Sequence, residues 1–116
     1  WNSRRQEIAE QYLEGLKNCN IDLPDSVKHG QHAWHLFVVR VANREQFRQK
    51  LAESGVHTGI HYPSPVHLQP AYEEYKDQGK YLTTTEKQAS HLVSLPIFPE
   101  LTNEEVNYVI QVVQHV

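Results

Sequence analysis

The segment from His32 to Val41, His-Ala-Trp-His-Leu-Phe-Val-Val-Arg-Val, constrains what this chain can fold into more than any other stretch. In an extended backbone alternate side chains point to opposite faces. Trp34, Leu36 and Val38 then share one face, and Phe37, Val39 and Val41 share the other. Both faces are apolar, so the strand belongs between layers and not at a wet surface. Something must cover each side of it.

The flanking sequence supplies the cover. Ala9, Tyr12, Leu13 and Leu16 recur at helical spacing and predict a helix over 2–17, with Arg4, Glu7, Glu10, Gln11 and Glu14 on its wet side. Residues 18–30 carry Pro24 and no period, and read as a loop. Asn43 opens a second helix, with Gln46 completing a capping box, Phe47 and Leu51 buried, and Gly55 as its stop. Val56 to Ile60 reads as a short strand. Ala71 to Tyr75 makes a helical turn, and Lys76 to Tyr81 a polar, mobile stretch. A third helix is expected over about 85–92, with Thr85, Gln88, Ala89 and Leu92 on one stripe, and a third strand at 93–95. The last helix opens on the Thr102/Glu105 capping box and buries Val106, Val109, Ile110 and Val113. The expected fold class is therefore α+β: a small three-stranded sheet packed with about four helices. At 116 residues the chain is the size of one domain and can bury roughly two-thirds of its extended surface.

Charge and composition exclude several classes of function. The net charge is −3 and no Lys/Arg block occurs, which argues against a nucleic-acid partner. Cys19 is the one cysteine, so no internal disulfide can form, in keeping with a reducing compartment. No apolar run approaches the ~20 residues needed to cross a bilayer, and no signal-peptide pattern opens the chain, so a cytoplasmic location and no membrane partner are expected. The sequence contains no methionine, and from this a fragment of a longer protein is expected.

Eight histidines invite a metal reading. His29, His32 and His35 are three apart, a spacing that turns alternate members of a strand to opposite faces. His57 and His61 are four apart but lie on a strand-to-loop segment, and there is no His-Glu-x-x-His; no metal site is expected. Ser64 lacks a Gly-x-Ser-x-Gly elbow, and the five glycines form no phosphate-cradling loop. The stretch from Gly59 to Tyr72 differs, because His61, Tyr62, His67 and Tyr72 stand on a loop stiffened by Pro63, Pro65 and Pro70. A loop with little freedom to lose can present polar groups to a ligand at small entropic cost. Equally, His61 and His67 can cap strand ends while Tyr62 packs on the sheet. Residue chemistry alone leaves both readings open.

Longer motifs resemble a known family. These are His35-Leu-Phe-Val-Val-Arg40, Gly55-Val-His-Thr-Gly-Ile-His-Tyr-Pro63, His67-Leu-Gln-Pro-Ala-Tyr72 and Ser94-Leu-Pro-Ile-Phe-Pro-Glu-Leu-Thr102. Together they look like the C-terminal part of the DegT/DnrJ/EryC1/StrS sugar aminotransferases, and Trp1 to Leu16, with Arg5, resembles the family's connecting helix. The resemblance covers essentially the whole chain. It implies a single C-terminal small domain of the type I (aspartate aminotransferase-like) pyridoxal-phosphate fold over 1–116, with 1–17 as connecting helix and 32–116 as the α+β sandwich. It further implies a homodimer in which pyridoxal phosphate carries an amino group, usually from glutamate, to a keto nucleotide-sugar.

The same resemblance puts the Schiff-base lysine in a large domain upstream, over about 250 residues. Lys17, Lys28, Lys50, Lys76, Lys80 and Lys87 do not match its motif, so this chain alone is expected to be inactive and to bind no cofactor. By motif position His61 and Tyr62 are the candidates for contacts to the hexose or its diphosphate, with His67 a further substrate-binding candidate or a buttress of the loop. Arg5 and Arg40 are phosphate partners or ion-pair formers, and His35 is expected as a satisfied core residue. The His-Tyr-Pro-x-Pro-x-His-Leu-Gln form resembles members acting on 3-keto dTDP-sugars. Related proteins of the superfamily replace the lysine with histidine and dehydrate the sugar; a free-standing module binding a sugar nucleotide or a protein is the other alternative.

Overall fold

A computed structural model describes residues 1–25 and 30–116; Lys28, His29 and part of the 18–30 loop lie outside the described residues. The elements are α1 (Asn2–Leu16), β1 (Phe37–Arg40), α2 (Arg44–Glu53), α3 (Thr83–Ala89), β2 (Leu92–Leu95) and α4 (Asn103–Gln114). Two 3₁₀ segments, Val66–Leu68 and Pro70–Gly79, lie in the stretch between α2 and α3, the second kinking at Tyr72. The class is α+β, as expected, but the sheet is smaller than expected.

β1 and β2 pair antiparallel, Phe37 against Leu95 and Arg40 against Leu92, and among the described residues they are the only two strands. The segment 56–60, read as a strand, contributes a single bridge from Gly59 to Ser94. Its backbone explains the correction. Val56 N–H is taken by Leu51 O and Gly55 N–H by Ala52 O, closing α2 in a Schellman motif with Gly55 at φ +77°. Pro63 follows four residues after Gly59, and within 56–60 only Gly59 joins the ladder. On the far side of β1, Asp22 makes a matching lone bridge to Arg40.

β1 also starts five residues later than its alternation suggests. Trp34 adopts φ +47°, its N–H bonds His32 Nδ1 at 2.9 Å, and its indole N–H reaches Gln6 Oε1 at 2.8 Å. That turn drives the indole into the core but leaves His35 exposed and outside the strand, not a core residue as expected. The helices follow the sequence more closely. α2 buries Phe47 and Leu51, although only half of its capping box forms, Asn43 accepting from Gln46 N–H. α4 buries its four expected residues behind a complete Thr102/Glu105 box. α3 begins and ends earlier than read, and only Ala89 of its stripe is buried, Leu92 having passed into β2.

One face of the sheet carries the core. Phe37, Val39, Val93 and Leu95 are all buried, with Tyr12 of α1 5.0 Å from the Phe37 ring, centroid to centroid. Tyr12 is completely enclosed and donates its hydroxyl to Pro96 O at 2.8 Å, so its polar end is satisfied as well. α1 and α4 run side by side in the same direction. Arg4 bonds Leu101 O and Asn103 Oδ1 at their N-terminal ends, and Gln114 bonds Gly15 O at their C-terminal ends. The two helices pack tightly at Gly15, where an added methyl would lie 2.8 Å from both Cδ1 and Cγ2 of Ile110.

Two substitutions test this packing. Gly15→Ala raises helix propensity, yet the clash with Ile110 should outweigh it and destabilise the chain by about 1–3 kcal/mol. Adding Ile110→Ala, which removes every atom the methyl would meet, should make the two losses clearly less than additive, read as the midpoint of urea unfolding; full additivity would contradict the contact. Tyr12→Phe leaves the Pro96 carbonyl unpaired and should cost about 1 kcal/mol.

Candidate functional site

The second face of the sheet carries Val38 and Ser94, paired across the strands. Over it lies the loop that follows Gly59. Gly59 and Ser94 exchange both backbone hydrogen bonds, at 3.0 and 2.8 Å, which anchors the root of the loop to β2. The preceding Thr58 is held to α2 by Arg48, whose Nε donates to Oγ1 at 3.1 Å. Beyond the root, Leu68 N–H bonds Pro65 O and Gln69 N–H bonds Val66 O, so the proline-rich segment coils into 3₁₀ turns. Lys76 to Tyr81, read as a mobile stretch, continues that coil as far as Gly79.

The three candidate rings meet different fates. His61 lies against Gly59, where an added Cβ would be 2.7 Å from its Cε1, and its Nδ1 is 2.9 Å from Ser94 Oγ. The residue as a whole is nevertheless exposed. Tyr62 projects outward with 72% of its surface open, its ring edge-on to His61 at 5.8 Å. His67 turns inward: its side chain is 11% exposed and its Nε2 pairs with Glu86 Oε1 of α3 at 2.9 Å. Because a carboxylate only accepts, this nitrogen of His67 is a donor. His61 and Tyr62 thus form an open pair, while His67 fastens the loop to α3.

The arginines are divided as well. Arg40 forms an ion pair with Asp22 at 3.1 Å. Arg5 is half-buried, and its Nε has no hydrogen-bond partner. Cys19, whose thiol is pushed up by burial, lines a recess of about 570 Å³ with Asn43 and Lys50. That recess lacks His61, Tyr62 and His67. Sequence reasoning quotes Ser94 only as the start of a family motif and gives neither it nor Glu86 a role, because neither residue type signals a site until the fold sets it beside a histidine.

Residues 1–114 match the sequence pattern of the DegT/DnrJ/EryC1/StrS aminotransferase family. The chain belongs to that family. It is 47% identical over 112 residues to the dTDP-3-amino-3,6-dideoxy-alpha-D-galactopyranose transaminase of Aneurinibacillus thermoaerophilus, covering 97% of this chain and 30% of the relative. The dTDP-3-amino-3,4,6-trideoxy-alpha-D-glucose transaminase of Streptomyces venezuelae is 39% identical over 98% of this chain and 30% of its own length. The crystal structure of S. venezuelae DesV in complex with a ketimine intermediate superposes with a TM-score of 0.93 at 39% identity, covering 99% of this chain and 31% of that one. Bacillus subtilis NtdA with bound cofactor PMP gives 0.85 at 34% identity, covering 98% and 28%. The chain therefore spans about 30% of the length of the relatives it matches.

Membership of an aminotransferase family implies pyridoxal phosphate, which a lysine holds as a Schiff base. The described residues of this chain do not make such a pocket. Lys17, Lys50, Lys76, Lys80 and Lys87 are all exposed, and Lys17 is paired with Glu14. A Schiff-base lysine works in a desolvated site, and none of these five has one.

The seat of His67 gives a direct test. An added Cβ at Gly79 would fall 2.5 Å from His67 Cδ2. Gly79→Ala should unseat the ring, break its bond to Glu86 and open the 66–82 segment to limited proteolysis. Unchanged cleavage would contradict the clamp.

Proposed function

We propose that this chain is the C-terminal small domain of a pyridoxal-phosphate-dependent nucleotide-sugar aminotransferase, spanning 1–116, and that it forms one wall of the sugar pocket. The rest of the pocket, the cofactor and its lysine belong in this reading to a large domain and a second subunit of a homodimer. The observation that carries it is the family match over nearly every residue, joined to relatives named as dTDP-3-amino-sugar transaminases. Their names favour a 3-keto dTDP-sugar as acceptor, with glutamate as amino donor.

The chemistry left to this domain is binding and orientation. His61 offers an N–H and Tyr62 a hydroxyl, both suited to sugar hydroxyls or pyrophosphate oxygens. Their backbone is pinned at Gly59 and followed at once by Pro63 and Pro65, so little freedom is lost when a ligand arrives. His67, tied to Glu86, serves as the buttress and not as a contact. No helix among the described residues is long and apolar enough to cross a membrane, in line with a cytoplasmic biosynthetic enzyme.

The test is a product assay on the intact protein with glutamate and a dTDP-linked 3-keto sugar, read by mass spectrometry. The amino sugar should appear, and Tyr62→Phe should raise KM about fivefold, the loss of one neutral hydrogen bond. A dehydrated sugar in place of the amine would establish the dehydratase instead. Turnover by residues 1–116 alone would contradict the shared pocket.

A further inference from the structure

Ser94 is placed to do more than join a ladder. We infer that it is a positioning residue: its hydroxyl donates to Nδ1 of His61 and fixes the imidazole in its Nε2–H form, an outward-facing donor for an acceptor oxygen of the nucleotide sugar. The ligand half of this statement rests on the function proposed above; the tautomer half does not.

The assignment follows from counting donors. Ser94 is 4% exposed, and among the described residues its hydroxyl has one hydrogen-bond partner, His61 Nδ1 at 2.9 Å. A hydroxyl carries a single proton to donate, and a neutral imidazole carries its proton on one nitrogen only. If that proton sat on Nδ1, it would point at Ser94 Oγ and leave the buried serine O–H with nothing to bond. An unmade buried hydrogen bond is the costlier arrangement. The serine therefore donates, Nδ1 accepts, and the ring proton resides on Nε2. No described residue bonds Nε2, and the residue is exposed.

The ring is also held in place sterically. Its Cε1 lies against Gly59, where a Cβ would stand 2.7 Å from Cε1 and 3.2 Å from Nδ1. Gly59 is not in the left-handed region, so the demand for glycine here is one of space. Gly59 is in turn bonded on both its N–H and its C=O to Ser94. One serine thus fixes the backbone beneath the ring and the proton within it. His67 makes the contrast: its Nε2–H is spent on Glu86, so of the two imidazoles His61 alone keeps a donor for a ligand.

The measurement is nitrogen NMR of the intact protein labelled with ¹⁵N-histidine, at mildly alkaline pH where imidazoles are neutral. The His61 signals are assigned by their loss in His61→Gln. Wild type should show a pyridine-type Nδ1 and a protonated Nε2; a proton on Nδ1 would overturn the inference. Ser94→Ala should give a mixture of tautomers and weaken dTDP-sugar affinity about fivefold, with KM changing more than kcat. Ser94→Thr, which keeps the hydroxyl, should restore the wild-type tautomer. An unchanged tautomer in Ser94→Ala would refute the positioning role. A shifted tautomer with unchanged affinity would uphold the serine–histidine pair but overturn the ligand half of the inference, together with the placement of His61 in the sugar pocket on which that half rests.

Discussion

The open side of this chain depends on one four-residue strand, Leu92–Leu95, and within it on the alternation of its side chains. Val93 and Leu95 face the helices and complete the core with Phe37 and Val39. Ser94, between them, faces the other way. A buried hydroxyl must find a partner, and the partner it finds is the imidazole of His61. The same peptide units that bond β1 on one edge bond Gly59 on the other, so the core and the loop share a single rigid support.

From that support the rest of the site follows in order. α2 ends at Gly55 in a left-handed turn, returning the chain to the edge of β2. Arg48 reaches from α2 to steady Thr58, and Gly59 then docks against Ser94. The prolines prevent further pairing and coil the chain into 3₁₀ turns, leaving Tyr62 in solvent. His67 and Glu86 close the far end against α3. The loop is held at both ends, with its open pair of rings in the first half.

What could be read from the sequence divides along physical lines. α4 was legible because four apolar residues at helical spacing coincide with a capping box, two independent signals of one element. Phe47, Leu51 and Gly55 were legible for the same reason. The strand at 32–41 was read too long because alternation survives a turn. Trp34 keeps its place in an apolar pattern although its backbone is left-handed and its N–H is taken by His32. The strand expected at 56–60 does not form because pairing is a property of the neighbour's free edge and of Val56's own bond to Leu51, neither visible in composition. Similarly, the residues at the loop could be named as candidates, but whether a ring faces in or out depends on contacts up to 33 positions away. His61 and His67 look equivalent in sequence and are opposite in the fold.

The central claim is that the loop rooted at Ser94 faces the bound sugar nucleotide, and a crystal structure of the intact protein with a dTDP-amino sugar tests it most directly. The account predicts a sugar or pyrophosphate oxygen within about 3.2 Å of His61 Nε2, with the Tyr62 hydroxyl in the same shell. A ligand bound wholly by other parts of the protein, with both rings turned to bulk solvent, would contradict it.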